Sequence, residues 1–299
     1  MQQVFPKISI VTPSYNQSEF IESTIDSILT QNYPNLEYII IDGGSTDGSV
    51  EIIKKYEKYL HFWCTEPDAG QYDAINKGFA RSSGEIMAWL NSDDMYFPWA
   101  FKTVSSIMSK FPEIEWLTTL NPGCWDWHGF CIAVDSIPGY SREAFLDGCH
   151  LPKSRDEIGW IQQESTFWRR SLWQKVNHNI STDFKMAGDF DLWSRFCQHT
   201  DIYGIQAPLG GFRLQANQKS RQFEQYLIDA EKSLSNMRNV VNWRSNLLRN
   251  IPRKLKLMKI PKIKDLIVSN QGYCGKKVVR KNPEFKEGFW EIEEYKFYF

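Results

Sequence analysis

Residues 85–94 read EIMAWLNSDD, and the fold follows from how this stretch is read. Ile86 to Leu90 are apolar at every position, then the run stops at two adjacent carboxylates, Asp93 and Asp94. So short an apolar run suits a strand in a sheet covered on both faces. The same unit recurs upstream. Ile8 to Thr12 (ISIVT) breaks into Pro13-Ser14-Tyr15-Asn16, and Leu36 to Ile41 (LEYIII) breaks into Asp42-Gly43-Gly44-Ser45-Thr46-Asp47-Gly48. Between these runs the period changes to that of a helix. Ile21, Ile25, Ile28 and Leu29 share one helical face, with Ser18 placed to cap it, and Val50, Ile53, Tyr56 and Leu60 share another.

The alternation continues as a strand over 61–65, a helix over 72–80, a strand over 85–90, a helix over 98–111 and a strand over 114–120. Strands alternating with helices imply right-handed βαβ units and an α/β fold with a mainly parallel, Rossmann-like sheet. In such a sheet the carboxyl ends of the strands line one edge, and ligands bind in the crevice outside them. Asp42, Glu66 or Asp68, and the pair Asp93-Asp94 are expected to gather there.

The rest of the composition narrows the function. The 299 residues carry 35 Lys and Arg against 36 Asp and Glu, so no global basic field draws the chain to nucleic acid. Six cysteines are scattered without metal spacing and the first residues lack an apolar leader, which points to free thiols in a reducing cytoplasm. There is no run of about 18 apolar residues, so no spanning helix is expected. Neither GxGxxG nor GxxxxGK[ST] occurs, so glycine amides are not expected to cradle phosphate. A divalent cation such as Mg²⁺ or Mn²⁺, held by carboxylates, is the other way to hold a diphosphate, and Asp93-Asp94 suits that work or caps a loop.

The ordered motifs VTPSYN, IIIDGGSTDGS, EPDAGQYDAINKG, GEIMAWLNSDD and AGDFDLWSRF, spread over about residues 7–220, resemble family 2 glycosyltransferases. The subgroup most similar contains bacterial enzymes of surface-polysaccharide assembly, such as O-antigen and capsule. The resemblance implies the GT-A nucleotide-diphospho-sugar transferase fold and transfer, with inversion, of a hexosyl or N-acetylhexosaminyl group from a nucleotide-diphosphate sugar, UDP above all. The acceptor it implies is a glycan or a polyprenyl-linked glycan, and the cofactor manganese or magnesium. It implies that Thr12, Pro13, Tyr15 and Asp42 contact the nucleoside, that Asp94 ligates the metal with Asp93 nearer the ribose or sugar, and that Asp189 is the general base. Asp73 joins the donor-binding candidates, and Asp191 and Arg213 the supporting ones. Gly43 stands where many relatives carry a second acid, and Gln215 where many carry a His. From the residues alone, Asp189 reads first as the cap of the helix holding Leu192, Trp193 and Phe196, and second as a base. A sugar nucleotidyltransferase or a noncatalytic carbohydrate-binding protein on the same fold are the alternatives; the first usually needs a Gly-rich basic loop where this chain has VTPSYN.

Residues 117–173 lose the βαβ rhythm and are rich in Trp. Trp125 and Trp127 are the expected partly exposed acceptor contacts, Trp168 is expected in the core, and His128 and His150 are read as polar residues rather than ligands. The catalytic domain is placed at 1–217, its donor half at about 1–120 and its acceptor half at about 121–217, with a helical basic extension over 218–299. Between Arg238 and Lys281 thirteen Lys or Arg face one acid, Asp265, with apolar residues interleaved. That pattern suits an anionic membrane surface, here the inner face of the cytoplasmic membrane, or packing against protein. Residues 288–299 alternate as a strand or docking tail.

Overall fold

The computed structural model describes residues 5–152, 154, 157–215, 223–245, 249, 261–282 and 287–298. Its first half is the expected alternation: β1 Ile8–Ser14, α1 Ile21–Leu29, β2 Leu36–Asp42, α2 Ser49–Tyr56, β3 Phe62–Thr65, α3 Gln71–Phe79, β4 Ile86–Trp89, β5 Met95–Tyr96 and α4 Ala100–Lys110. The second half holds β6 Trp116–Thr119, β7 Gly123–Trp125, β8 Cys131–Val134, α5 Arg142–Asp147, β9 Phe167–Arg169, α6 Arg170–Lys175 and α7 Gly188–Phe196. It closes with β10 Tyr203–Ile205, β11 Gly210–Arg213, α8 Phe223–Val240, α9 Pro261–Gln271, β12 Tyr273–Lys281 and β13 Phe289–Phe297.

Nine strands form one sheet in the order β13-β12-β10-β6-β9-β4-β1-β2-β3. β1 pairs in parallel with β2 and β4, β2 with β3, and β10 with β6 and β12, while β9 and β13 run against their neighbours. The sheet is thus mainly parallel, and β1, β2 and β4 are buried almost throughout because helices cover both faces. A smaller sheet, β5-β11-β7-β8, stands beside it.

Aromatic packing sets the position of α7. Trp193 stacks on Trp89 of β4 with centroids 5.8 Å apart and planes 12° apart, and on Trp116 of β6 at 5.5 Å. Trp168 completes the cluster and is fully buried, as its motif suggests. Asp189 lies one turn before Trp193, so this cluster holds it above the end of β4.

Two expectations are corrected or extended. Ser18 does not cap α1: the cap position is Phe20, and the Ser18 N–H instead donates to Asp47 at 2.9 Å. The loop after β2 draws this segment out of helical geometry, so the helix starts later. The C-terminal part is helical in α8 and α9, yet β12 and β13 also extend the main sheet, because β10 would otherwise leave a bare edge. The expected strand or docking tail at the C-terminus is a strand, Phe289–Phe297. Much of the basic stretch that suggested a membrane surface (246–248 and 250–260) lies outside the described residues. Among the described residues no helix is long and apolar enough to cross a membrane.

Candidate functional site

A cleft of about 1110 Å³ opens at the carboxyl edge of the parallel strands. Pro13, Ser14 and Tyr15 line it after β1, Gly43 after β2, Pro67 and Asp68 after β3, and Asn91 to Asp94 after β4. The rest of the lining comes from Trp160, Ile161, Gln163 and Glu164, Asp189 at the start of α7, Phe212, Leu214 and Gln215, and Phe223 and Tyr226 of α8.

Asp94 is nearly fully buried. One carboxylate oxygen accepts the Arg213 backbone N–H at 2.8 Å and the other the Asn91 amide at 3.0 Å. Burial, then the charges of Asp93 and Glu164, pushes its carboxyl well above the usual range. Asp93 accepts a hydrogen bond from the Gln215 amide. A chain of amides fixes the wall around the pair: Gln71 donates to Asn91 at 2.6 Å, Asn91 also reaches Gln163 at 3.3 Å, and Gln163 donates to the Trp89 carbonyl at 2.7 Å.

Asp189 lines the same cleft. One of its buried oxygens has no hydrogen-bond partner, and burial lifts its pKa from 3.8 to about 6, against the pull of the Phe190 N–H. Gly188 is required beneath it, since a Cβ there would come within 2.7 Å of the Tyr72 ring, whose hydroxyl accepts the Gly188 N–H and donates to the Met186 carbonyl. Asp191 points away, accepting from Arg195 at 2.9 Å and Ser233 at 3.0 Å.

Several expected contacts lie elsewhere. Asp42 is fully buried and does not line the cleft: its carboxylate accepts the Gly44 and Ser45 N–H groups and the Ser45 and Thr65 hydroxyls. A tight glycine turn consumes it. Thr12 is buried under the Tyr38 hydroxyl, and Asp73 caps its own loop, accepting the Ala69 N–H at 3.0 Å and pairing with Lys77 at 3.1 Å. Trp125 is 7% exposed and packs on Phe97, so it is core rather than an acceptor platform. Trp127 is 42% exposed but sits on the β7–β8 hairpin, outside the cleft lining. Arg213 is a buried strut: its guanidinium donates to the carbonyls of Asp93 and Trp127 and to the Ser23 hydroxyl.

Other acids line the cleft: Asp68, which the sequence offered with Glu66 for this edge, and Glu164, which the sequence reading missed. Asp68 fills the space above Gly43, where a Cβ would meet its carboxylate at 2.9 Å. Glu164 enters because β9 runs antiparallel, which puts its beginning at the edge where β4 and β6 end. The string QQES before FWRR was the available signal, but strand direction is not legible from it. His150 is buried, its Nδ1 on the Gly159 carbonyl at 2.8 Å and its pKa lowered by burial to about 4; its Nε2 has no partner among the described residues, so it is only half satisfied.

Among the described residues, no group of three or more His, Cys, Asp or Glu is arranged to hold a metal ion alone. The cleft still fits a cation shared with a ligand. Asp68, Asp93, Asp94, Glu157, Glu164 and Asp189 line it, and no Lys, Arg or His does so among the described residues. A diphosphate entering this field needs a counter-cation, and hard cations are commonly held by one or two carboxylates plus phosphate oxygens.

Residues 9–115 match the family model described as glycosyl transferase family 2. A putative teichuronic acid biosynthesis glycosyltransferase of Bacillus subtilis is 42% identical over 94 residues, 30% of this chain and 37% of that protein. An uncharacterised glycosyltransferase of Mycobacterium tuberculosis is 38% identical over 194 residues, 62% of this chain and 66% of its own length. The matches thus span between about a third and two thirds of these relatives. Among solved structures, S. aureus TarS in complex with UDP-GlcNAc superposes with a TM-score of 0.54 at 16% identity, over 71% of this chain and 60% of TarS. The mannosyltransferase PcManGT of Pyrobaculum calidifontis in complex with GDP-Man and Mn²⁺ superposes at 0.51 and 14% identity, over 88% and 84%. By its motifs, its matched domain and its sheet, this chain belongs to the family 2 glycosyltransferases and has the GT-A fold.

Proposed function

We propose that the chain is an inverting glycosyltransferase that moves a hexosyl or N-acetylhexosaminyl group from a nucleotide-diphosphate sugar, UDP-linked, to a glycan or lipid-linked glycan in surface-polysaccharide assembly. One observation carries this reading: the Asp189 carboxylate, with an oxygen unpartnered, lines the same cleft as the Asp93-Asp94 pair. A single displacement at an anomeric carbon needs a base on the acceptor hydroxyl, opposite a stabilised leaving diphosphate. Asp189 is that base. Asp94 with Asp93 would hold Mn²⁺ or Mg²⁺, which when bound offsets the charge of the departing diphosphate.

At the nucleoside end, Pro13 and Tyr15 flank the base, and Asp68 takes the role first given to Asp42. Trp160, 37% exposed in the cleft wall, replaces Trp125 and Trp127 as the platform for an acceptor ring. TarS, bound to UDP-GlcNAc, supports the choice of uridine, and the name of the Bacillus relative supports a cell-surface polymer as product. The division at 217/218 is then one of role: residues 1–217 carry the site, and 218–299 brace it and face the inner surface of the cytoplasmic membrane through the basic stretch 238–281.

The test is a nucleotide-sugar screen by thermal shift with Mn²⁺, followed by NMR of the product. A ligand of the folded state raises apparent stability. A shift with UDP-sugars and an inverted anomeric centre are expected; a shift with GDP- or dTDP-sugars alone overturns the nucleotide, and a retained centre overturns the mechanism.

A further inference from the structure

The β7–β8 hairpin carries exposed apolar side chains that the reaction does not use. Its tip is stiff: the Asp126 N–H donates to the Phe130 carbonyl at 2.9 Å, the Phe130 N–H donates to the Asp126 carboxylate at 2.9 Å, the Gly129 N–H donates to the Asp126 carbonyl at 3.1 Å, and Gly129 adopts a left-handed φ of 86°.

 Trp127 packs edge-on against Phe20 at 4.7 Å, and its carbonyl is held by Arg213.

Beyond this turn, Phe130 is 70% exposed, Ile132 53% and Val134 48%, and all four residues of β8 are exposed. Residues 127–134, WHGFCIAV, contain no Asp, Glu, Lys or Arg. Edge strands in soluble proteins are usually guarded by charge, proline or a covering element, and β8 has none of these on itself. Because β8 is exposed on both faces, a partner protein lying on one face would leave the other wet.

A second copy pairing along the edge is also too small a contact. The two aromatics bury about 150–250 Å² each when fully covered, and with one Ile and one Val, all partly covered already, the patch stays below the roughly 800 Å² per partner of a stable dimer. A lipid surface has no such threshold and covers both faces at once. The patch also adjoins the cleft: Leu214, 45% exposed in the cleft lining, donates its N–H to the Trp125 carbonyl at the base of the hairpin.

We propose that the hairpin spanning 126–135 is a shallow membrane anchor that enters the interfacial layer of a bilayer through Trp127, Phe130, Ile132 and Val134 and holds the mouth of the cleft at the lipid surface. Insertion stays at headgroup depth, because the outer edge of β8 keeps backbone groups that hydrocarbon would leave unsatisfied. Its binding is apolar and therefore resists salt, unlike attraction through the basic stretch 238–281. It does not depend on the reaction assigned above.

The test is co-sedimentation of the full chain with neutral phosphatidylcholine vesicles in about 1 M NaCl, where charges are screened within roughly 3 Å. The wild type is expected to bind, and the double variant Phe130→Ser/Ile132→Thr to lose at least tenfold in affinity with an unchanged melting midpoint. Should that variant melt early, Phe130→Ser alone, at the most exposed position, carries the same test. Absence of wild-type binding, or equal binding by the folded variant, overturns the proposal. So does self-association in sedimentation velocity that the same substitutions abolish without any vesicle binding, which would make a second copy the occupant.

Discussion

The carboxylates behind the cleft and those lining it are used differently. Behind the loops after β2 and β3, outside the lining, Asp42, Asp47 and Asp73 have oxygens met by nearby N–H, hydroxyl or ammonium groups, and burial of Asp42 is offset by its four hydrogen bonds. Within the lining, an oxygen of Asp189 is buried with no partner, and its pKa rises accordingly. A carboxylate whose hydrogen bonds are met inside its own loop sets backbone shape. One left unmet in a cleft is held ready for something that arrives, at a cost to stability.

The largest effect that can break this contrast is on turnover. Asp189→Asn should lower sugar transfer by about 10²–10⁴-fold while donor binding is unchanged. Stability should move the opposite way from a lost helix cap. The folded pKa of about 6 lies above the ordinary 3.8, so folding disfavours the ionised form; that penalty is complete above pH 6 and is relieved as the pH falls toward 4. The Asn variant should therefore melt higher than wild type above pH 6, with the gap closing below it, and wild-type turnover should rise with pH through about 6. A variant that melts lower at pH 8 with near-normal turnover would make Asp189 a cap.

Asp94→Ala should come next, with transfer down by about 10²–10³-fold and the response to Mn²⁺ lost. Full activity in excess EDTA would remove the metal from the scheme. At the loops after β2 and β3, Asp42→Ala and Asp68→Ala should separate. Loss of Asp42 strands buried donors and should destabilise by about 2–4 kcal/mol in chemical denaturation, whereas Asp68→Ala should leave stability within about 0.5 kcal/mol and weaken nucleotide binding about tenfold. The reverse pattern would return the nucleoside contact to Asp42. The smallest effect expected is that of Ser18→Ala, below about 0.5 kcal/mol, since Ser18 lies before the helix and caps nothing; a loss near 1 kcal/mol would restore the cap.

Much of this was legible in particular strings. EIMAWLNSDD announced a buried strand and the acids at its end, and the GDFDLW period placed Asp189 at the head of an amphipathic helix. Asp42 was expected in the cleft because a strand-end acid looks the same in sequence whether it faces the cleft or closes its own turn, and Asp73 because an acid in the first turn of a helix looks the same whether it meets a ligand or its own loop. Of the two tryptophans, Trp127 is partly exposed as expected and Trp125 is not, since aromatic content marks apolar surface but not which neighbour covers it.

By itself, then, the sequence determined the βαβ order, the strand ends and the acids near them, since side-chain period and local turn chemistry act over a few residues. The tertiary structure alone decided which acids are unsatisfied, that Glu164 enters the cleft through an antiparallel strand, and that β12 and β13 finish the sheet. Those outcomes depend on partners far apart in the chain, such as Trp193 against Trp89 and Ser233 against Asp191, and no local pattern carries the direction in which distant segments meet.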